Sequence, residues 1–203
     1  RHRGLRLSGG FLKSTSIVGA FTLLSRVTGL LRDMVYSRMF GAGVLMDAFL
    51  VAFKIPNFMR RLFAEGAFSQ AFVPVVSEYK IRRPQDEVRE LIDGAAGTLA
   101  WFLTVVTIIG VVAAPVLVLI FAPGFRADEG KFDLTVEMLR WTFPYILFIS
   151  LAALAAGVLN SYGLFAVPAL TSTLMHLVMI VFAAWIAPSF DRPGIVLAFG
   201  VFV

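Results

Sequence analysis

The sequence predicts an all-α integral membrane protein, a polytopic helical bundle with about six transmembrane helices, the last of them truncated. Of the 203 residues, 59% are hydrophobic and only 15% are charged, and the mean hydropathy is +0.85. A soluble domain this apolar could not cover its surface with polar groups, so the bilayer is the expected solvent. Apolar runs of about 20 residues, the length of one helical crossing, recur between glycine, proline and polar connections. Cysteine is absent, which excludes disulfides and thiolate chemistry from this chain.

The first two predicted spans cover residues 14–40 and 45–79. The first ends at a glycine turn over residues 41–43, where glycine tolerates backbone angles that stop a helix. The second is expected to break around Pro56, because proline lacks a backbone N–H and clashes with the preceding helical turn. It then resumes and ends at Tyr79, ahead of a polar stretch over residues 80–90.

Four further predicted spans complete the bundle, at residues 91–121, 134–159, 167–186 and, in part, 194–203. The first of these is the most apolar, and residues 127–133 after it are expected to form a polar loop. The next span contains Pro144, and the following one is stopped by Pro188. The last has about half the length that a crossing needs, so we interpret residues 1–203 as one transmembrane lobe of a longer transporter.

The distribution of lysine and arginine predicts that the N-terminus is cytoplasmic. Short cytoplasmic flanks of membrane proteins carry an excess of these residues. Here they precede the first predicted span and follow the second. The residues are Arg1, Arg3, Arg6, Lys13, Lys80, Arg82, Arg83 and Arg89. This pattern accounts for the net charge of +5 without nucleic acid as a partner.

Charged residues lie inside the first two predicted spans, where they are costly. A charge near the bilayer centre costs about 2.5–3.5 kcal/mol on insertion scales. These side chains are therefore expected to face a wet cavity, one another or a bound ligand, and their cationic excess indicates an anionic ligand. They are Arg26, Arg32, Asp33, Arg38, Asp47, Lys54, Arg60, Arg61 and Glu65.

Three arginines, Arg26, Arg32 and Arg60, are the main candidates for binding that ligand. At 1.5 Å per residue, Arg26 lies about 18 Å from a helix start near Ser14, close to the membrane midplane. Arginine binds phosphate oxygens through two parallel N–H donors and keeps its charge when buried. On two adjacent helices, the three would form a cationic cleft suited to a diphosphate. The alternative is that they tie helices together or extend to the headgroup layer.

A second set of charges is arranged along the second span. Asp47, Lys54 and Arg61 are spaced by seven residues and share one face of a continuous helix. Arg61 and Glu65, four residues apart, can form an ion pair.

Asp33 is interpreted as a local counter-charge within looser reach of Arg38. Neither histidine has a neighbour at metal-ligand spacing, and the carboxylates are too scattered to hold Mg²⁺, so no metal site is predicted in this chain. No nucleotide-binding glycine loop is present in the sequence, which predicts that this chain does not hydrolyse ATP itself.

Three stretches of the chain carry unusual motifs. They are SRVTGLLRD at residues 25–33, FGAG at 40–43 with DAF at 47–49, and FKIPN at 53–57 continuing into RRLFAEGAFSQAFVP at 60–74. Together they resemble the N-terminal part of the MurJ/MviN lipid II flippase family, which belongs to the multidrug/oligosaccharidyl-lipid/polysaccharide (MOP) exporter superfamily. PGF at 123–125 and TFPY at 142–145 extend the resemblance over nearly the whole chain.

The resemblance implies a MATE-like fold of two pseudo-symmetric lobes, of which residues 1–203 would form most of the N-terminal one. It implies alternating access, in which lipid II crosses from the inner to the outer leaflet. The resemblance assigns diphosphate contacts to Arg26, Arg32 and Arg60, and less certain cavity positions to Arg61 and Lys54. It implies a gating or charge-network role for Asp47 and Glu65, to which Asp33 is added as counter-charge.

The resemblance also implies the surroundings of the protein. The expected location is the bacterial cytoplasmic (inner) membrane, with a role in peptidoglycan biosynthesis, cell wall biogenesis and cell shape. The expected partners are lipid II, membrane lipids and the remaining C-terminal part of the transporter, with a protein inhibitor or other cell-wall machinery as further candidates. No cofactor is expected, and transport would be coupled to the membrane potential or an ion gradient, since a charge gains about 2.3 kcal/mol per 100 mV.

Other functions remain open at this point. One is a different MOP-type exporter of polyprenyl-linked sugars, and another is an anion-conducting membrane protein, which arginine rings would serve. A membrane enzyme acting on polyprenyl diphosphates would need clustered acids for Mg²⁺, which this sequence does not place together. We therefore predict a transporter and not an enzyme.

Overall fold

The computed structural model describes residues 9–62 and 69–202, and within these ranges it contains helices and no β-strand. The all-α prediction is therefore confirmed. The α-helices are α1 (Gly9–Phe40), α2 (Val44–Arg60), α3 (Ser69–Arg82), α4 (Gln85–Val112), α5 (Ala114–Phe121), α6 (Glu129–Thr142), α7 (Tyr145–Ser161), α8 (Ala166–Val181) and α9 (Pro193–Phe202).

The larger buried core surrounds α2, which packs against α6, α7 and α9. Phe49 and Ile55 of α2 are each 1% exposed, and Phe143 and Ile146 are similarly buried beside them. In a membrane such side chains stabilise the fold through van der Waals packing, because lipid tails are as apolar as the side chains themselves. This packing holds α2 and α7 in fixed positions, and both contribute to the cavity described below.

A smaller core joins α3, α4 and α7. It contains Phe72 and Val76 from α3, Leu99 and Leu103 from α4, and Leu154 from α7. α1 lies apart from this cluster and packs mainly against α8.

Three helical segments in the described part of the chain are long and apolar enough to cross a membrane: Gln85–Val112, Gly130–Ser161 and Ala166–Ser189. Large apolar side chains are exposed on them, including Trp101 on α4 and Trp185 after α8, at 72% and 76%. The other expected spans are shorter or more charged. α2 has 17 residues, α9 has 10, and α1 carries the arginines discussed above.

The expected break at Pro56 is wrong, because α2 continues through it to Arg60. Proline leaves the carbonyl four residues earlier, at Ala52, without its helical donor. The hydroxyl of Thr142 on α6 donates to that oxygen at 2.9 Å. The span predicted at 45–79 is instead two helices, α2 and α3, and residues 63–68 between them lie outside the described part.

The expected polar loop over residues 127–133 is also wrong, because α6 already begins at Glu129. The carboxylate of Asp128 accepts a hydrogen bond from the Lys131 backbone N–H at 3.1 Å, which is an N-cap. The predicted span 91–121 begins earlier, at Gln85, where Asp86 and Glu87 favour a helix start.

Turns interrupt the predicted spans at two further positions, and a third span changes its helix type. The 91–121 span is divided at Ala113 into α4 and α5, and the 134–159 span is divided at residues 143–144 into α6 and α7. The 167–186 span is α-helical to Val181 and continues as a π-helix over Phe182–Ile186.

Candidate functional site

An open cavity of about 520 Å³ lies among α1, α2, α7, α8 and α9, and we call it the arginine cavity. Arg32 of α1 and Arg60 of α2 both line it. Its wall is otherwise mostly aromatic and aliphatic, with a few polar groups. Among the lining residues are Phe53, Asn57, Tyr145, Phe148, Ile149, Thr171, Ser172, Met175 and His176.

The Arg32 guanidinium is held by two side chains. Its Nε and Nη2 atoms donate to Asp33 Oδ1 at 3.0 and 2.7 Å. Its Nη1 atom lies 3.3 Å from Nδ1 of His176, on α8. The Arg32 side chain is 17% exposed, whereas that of Asp33 is 62% exposed. The carboxylate therefore lies on the outer side of the pair, and the guanidinium lies on the cavity side.

The Arg60 guanidinium is oriented along α2. Its Nε atom donates to Asn57 Oδ1 at 3.1 Å, one helical turn earlier. Both residues line the arginine cavity because α2 remains helical past Pro56. A smaller pocket of about 300 Å³ adjoins the cavity at Arg60 and is lined by small residues of α7 such as Ala156 and Gly157.

Two guanidinium groups in a mostly apolar cavity have the chemistry to bind an anion. Charge-assisted hydrogen bonds from arginine to phosphate are about twice as strong as neutral ones, and burial strengthens them further. Thr171 and Ser172 lie on the same wall. The Thr171 hydroxyl donates its proton to the Val167 carbonyl at 3.1 Å and keeps its lone pairs as acceptors. Among the described residues, no group of three His, Asp or Glu side chains is placed to hold a metal ion.

The structure does not bring the other predicted ligand-binding residues into this cavity. Arg26 is exposed on α1, and Lys54 and Arg61 are exposed on and just after α2. None of the three lines the arginine cavity. Asp33 pairs with Arg32, and not with Arg38 as the sequence spacing allowed. Glu65 lies outside the described residues.

Asp47 forms an ion pair away from the cavity. Its Oδ2 atom lies 2.6 Å from Nζ of Lys131, and the two side chains are 53% and 18% exposed. Lys131 Nζ also lies 4.2 Å from the ring centroid of Phe125. The pair connects the first turn of α2 to the first turn of α6. A gating or charge-network role for Asp47 stays a prediction.

Two cavity residues, His176 and Asn57, were not predicted from the sequence. His176 is the only histidine in the described residues and sits in an apolar run, which is equally typical of a packed helix. Its partner Arg32 is 144 positions away. The spacing of Asn57 and Arg60, three residues or about one helical turn, could have indicated that the two side chains share a helix face.

Comparison with known proteins finds similarity to one protein family. The model of the family described as "Lipid II flippase MurJ" matches residues 36–203. A probable lipid II flippase MurJ of Vibrio cholerae serotype O1 is 45% identical over 97% of this chain and 39% of its own length. The lipid II flippase MurJ of Burkholderia cenocepacia is 47% identical over 92% of this chain and 36% of its own length.

A solved structure has the same fold. The lipid II flippase MurJ in its inward closed conformation superposes with a TM-score of 0.75 at 26% identity. The match covers 91% of this chain and 39% of the solved chain. The chain thus spans less than two fifths of the length of these relatives.

Proposed function

Because this chain belongs to the lipid II flippase MurJ family and is a multi-pass membrane protein, we propose that it forms the N-terminal lobe of a longer lipid II flippase. In this proposal lipid II moves from the inner to the outer leaflet of the bacterial cytoplasmic membrane. The N-terminus is cytoplasmic, as the lysine and arginine flanks favour. The remaining C-terminal part of the transporter and membrane lipids cover the exposed apolar faces.

One observation carries the proposal: Arg32 and Arg60, from different helices, line one cavity of about 520 Å³. The diphosphate of lipid II is a compact double anion, and arginine matches phosphate oxygens through paired donors. The head group would lie in this wet cavity while the prenyl tail remains in lipid.

Transport then requires that the cavity open to each side in turn. The lobe contributes the binding surface, and movement relative to the second lobe changes its access. The energy comes from the membrane potential or an ion gradient, at about 2.3 kcal/mol per charge per 100 mV.

Arg26 has a separate place in the proposal. It is exposed on α1 and does not line the arginine cavity in this arrangement. A contact between Arg26 and the same diphosphate requires a different position of α1, which alternating access would supply. Its contribution is therefore tested independently of Arg32 and Arg60.

The experiment is complementation in a flippase-depleted bacterium with the full-length transporter. Arg26, Arg32 and Arg60 are each changed to Ala and to Lys, and Arg38→Ala, on α1 outside the cavity, is the matched control. We expect loss of lipid II exposure at the outer leaflet for Arg26→Ala, Arg32→Ala and Arg60→Ala at normal membrane abundance, and normal exposure for Arg38→Ala. Lys should rescue only in part, because it keeps the charge but loses the paired donors. Normal exposure in all six variants would show that these arginines are structural.

A further inference from the structure

The ring of His176, on α8, packs against the surface of α1 between Gly29 and Arg32. Its Nδ1 atom faces Arg32 Nη1 at 3.3 Å. The other edge of the ring lies against Gly29, one turn earlier on α1, where an added Cβ would be 3.4 Å from Nε2. The ring is thus bounded by the glycine on one edge and by the guanidinium on the other, and it lines the arginine cavity.

The chemistry of the contact determines which way the hydrogen bond runs. Arginine has five N–H donors and no acceptor. His176 Nδ1 must therefore accept with its lone pair, and the ring proton is carried by Nε2. The residue acts as a hydrogen-bond acceptor for Arg32.

Counting donors shows what remains for a ligand. Asp33 takes the Nε–H and one Nη2–H, and His176 takes one Nη1–H. These contacts use three of the five donors, so one N–H is left on each terminal nitrogen. Two oxygens of one phosphate, or one from each phosphate of a diphosphate, can accept from such a pair.

We propose that His176 is a positioning residue for Arg32, an inference that rests on the proposed function above. The ring on α8 and the carboxylate of Asp33 on α1 hold the guanidinium from two sides, with its remaining Nη1–H and Nη2–H donors available to the diphosphate of the lipid-linked substrate. A side chain already held in its binding geometry loses less conformational entropy when the ligand arrives. His176 therefore contributes to affinity without being the main contact.

The test measures the Kd of farnesyl diphosphate for the purified full-length transporter and four variants. His176→Leu removes the acceptor at similar volume. His176→Asn keeps it, because the amide oxygen can occupy the position of Nδ1. Arg32→Ala and the double variant Arg32→Ala/His176→Leu show whether the histidine acts through the arginine.

We expect His176→Leu to raise the Kd about tenfold, since losing a hydrogen bond to a charged group typically weakens affinity by that factor or more. His176→Asn should stay within about threefold of the parent. The double variant should bind no worse than Arg32→Ala alone. If His176→Leu does not fold, His176→Gln serves in its place, because its amide lies beside Gly29 and away from Arg32, and the same rise is expected.

Three results would overturn the inference: parental affinity in His176→Leu, equal losses in the Leu and Asn variants, or full additivity with Arg32→Ala. If Arg32→Ala lowers affinity and His176→Leu does not, this inference fails and the proposed function stands. If Arg32→Ala itself binds like the parent, both fail.

Discussion

The Thr142 hydroxyl donates to the Ala52 carbonyl at 2.9 Å, from α6 to α2, and both residues are buried. Ala52 lies four residues before Pro56, which has no N–H to offer it. Thr142 thus supplies the donor that proline removes. The hydrogen bond satisfies the carbonyl that proline leaves without its helical donor. α2 remains helical beyond Pro56, and Asn57 and Arg60 line the arginine cavity.

Changing Thr142 to Val should destabilise the protein by about 1–3 kcal/mol, the usual cost of leaving a buried acceptor unpaired. The measurement is the thermal unfolding midpoint of the purified transporter in detergent. Thr135→Val is the matched control on the same helix. Its hydroxyl bonds only the carbonyl of Lys131 in its own helix, so its loss should cost less.

A second substitution makes the interpretation specific. Pro56→Ala restores an N–H opposite the Ala52 carbonyl, so it should recover part of the stability lost in Thr142→Val. Equal losses in Thr142→Val and Thr135→Val, or no recovery with Pro56→Ala, would exclude this role for Thr142.

The same hydrogen bond shows where sequence-based prediction succeeded and failed. The fold class followed from composition and from the length of the apolar runs, which are local properties. The donor to the Ala52 carbonyl comes from Thr142, 90 positions after Ala52, and nothing near Pro56 in the sequence indicates it. The helix start at Glu129 was predictable in principle, because Asp128 is a good N-cap residue, but the charged composition favoured a loop.

The candidate site was predicted only in part: the sequence identified two of its arginines but not how they come together. Arg32 and Arg60 are identifiable from the sequence because a charge inside a membrane span is costly near the bilayer centre. Their convergence on one cavity, the exclusion of Arg26 from it and the presence of His176 depend on how α1 packs against α8, which helical periodicity does not determine.

Gly110→Ala should destabilise the protein by about 1–3 kcal/mol through overpacking. Gly110 is buried in α4 against the ring of Phe143, and a Cβ there would overlap the ring. Phe143 is itself 1% exposed and packed in the larger core, so it has little room to move. The thermal unfolding midpoint measures the effect.

Gly97→Ala, on the same helix, is the control because nothing lies within 4 Å of its added Cβ. It should be neutral or stabilising, since alanine favours the helix over glycine. A loss of similar size at both glycines would mean that the Phe143 contact is not the cause.

The Asp47–Lys131 pair can be tested by charge exchange. Asp47→Lys or Lys131→Asp alone places like charges together between α2 and α6, and each should reduce lipid II exposure in the complementation assay. The double exchange should restore a substantial part of the activity, because the 2.6 Å pair can re-form with its charges reversed. Stability should change by at most about 1 kcal/mol, because Asp47 is half exposed. A double variant as inactive as the single variants would show that Asp47 does not act through its ion pair with Lys131.

Asn57→Asp tests whether the arginine cavity binds its ligand through positive charge. The substitution is nearly isosteric and keeps an acceptor for the Arg60 Nε–H. In the parent protein the Nε atom lies 3.1 Å from the amide oxygen of Asn57. It adds a carboxylate to the cavity wall, so the Kd of farnesyl diphosphate should rise by about tenfold or more through like-charge repulsion. Asn57→Ala removes the acceptor without adding charge and should raise the Kd by only a few fold. The excess loss in the Asp variant should shrink at high salt, because mobile ions that enter the open cavity screen the repulsion. If the Asp and Ala variants bind equally well at every salt concentration, the ligand is held elsewhere than between Arg32 and Arg60.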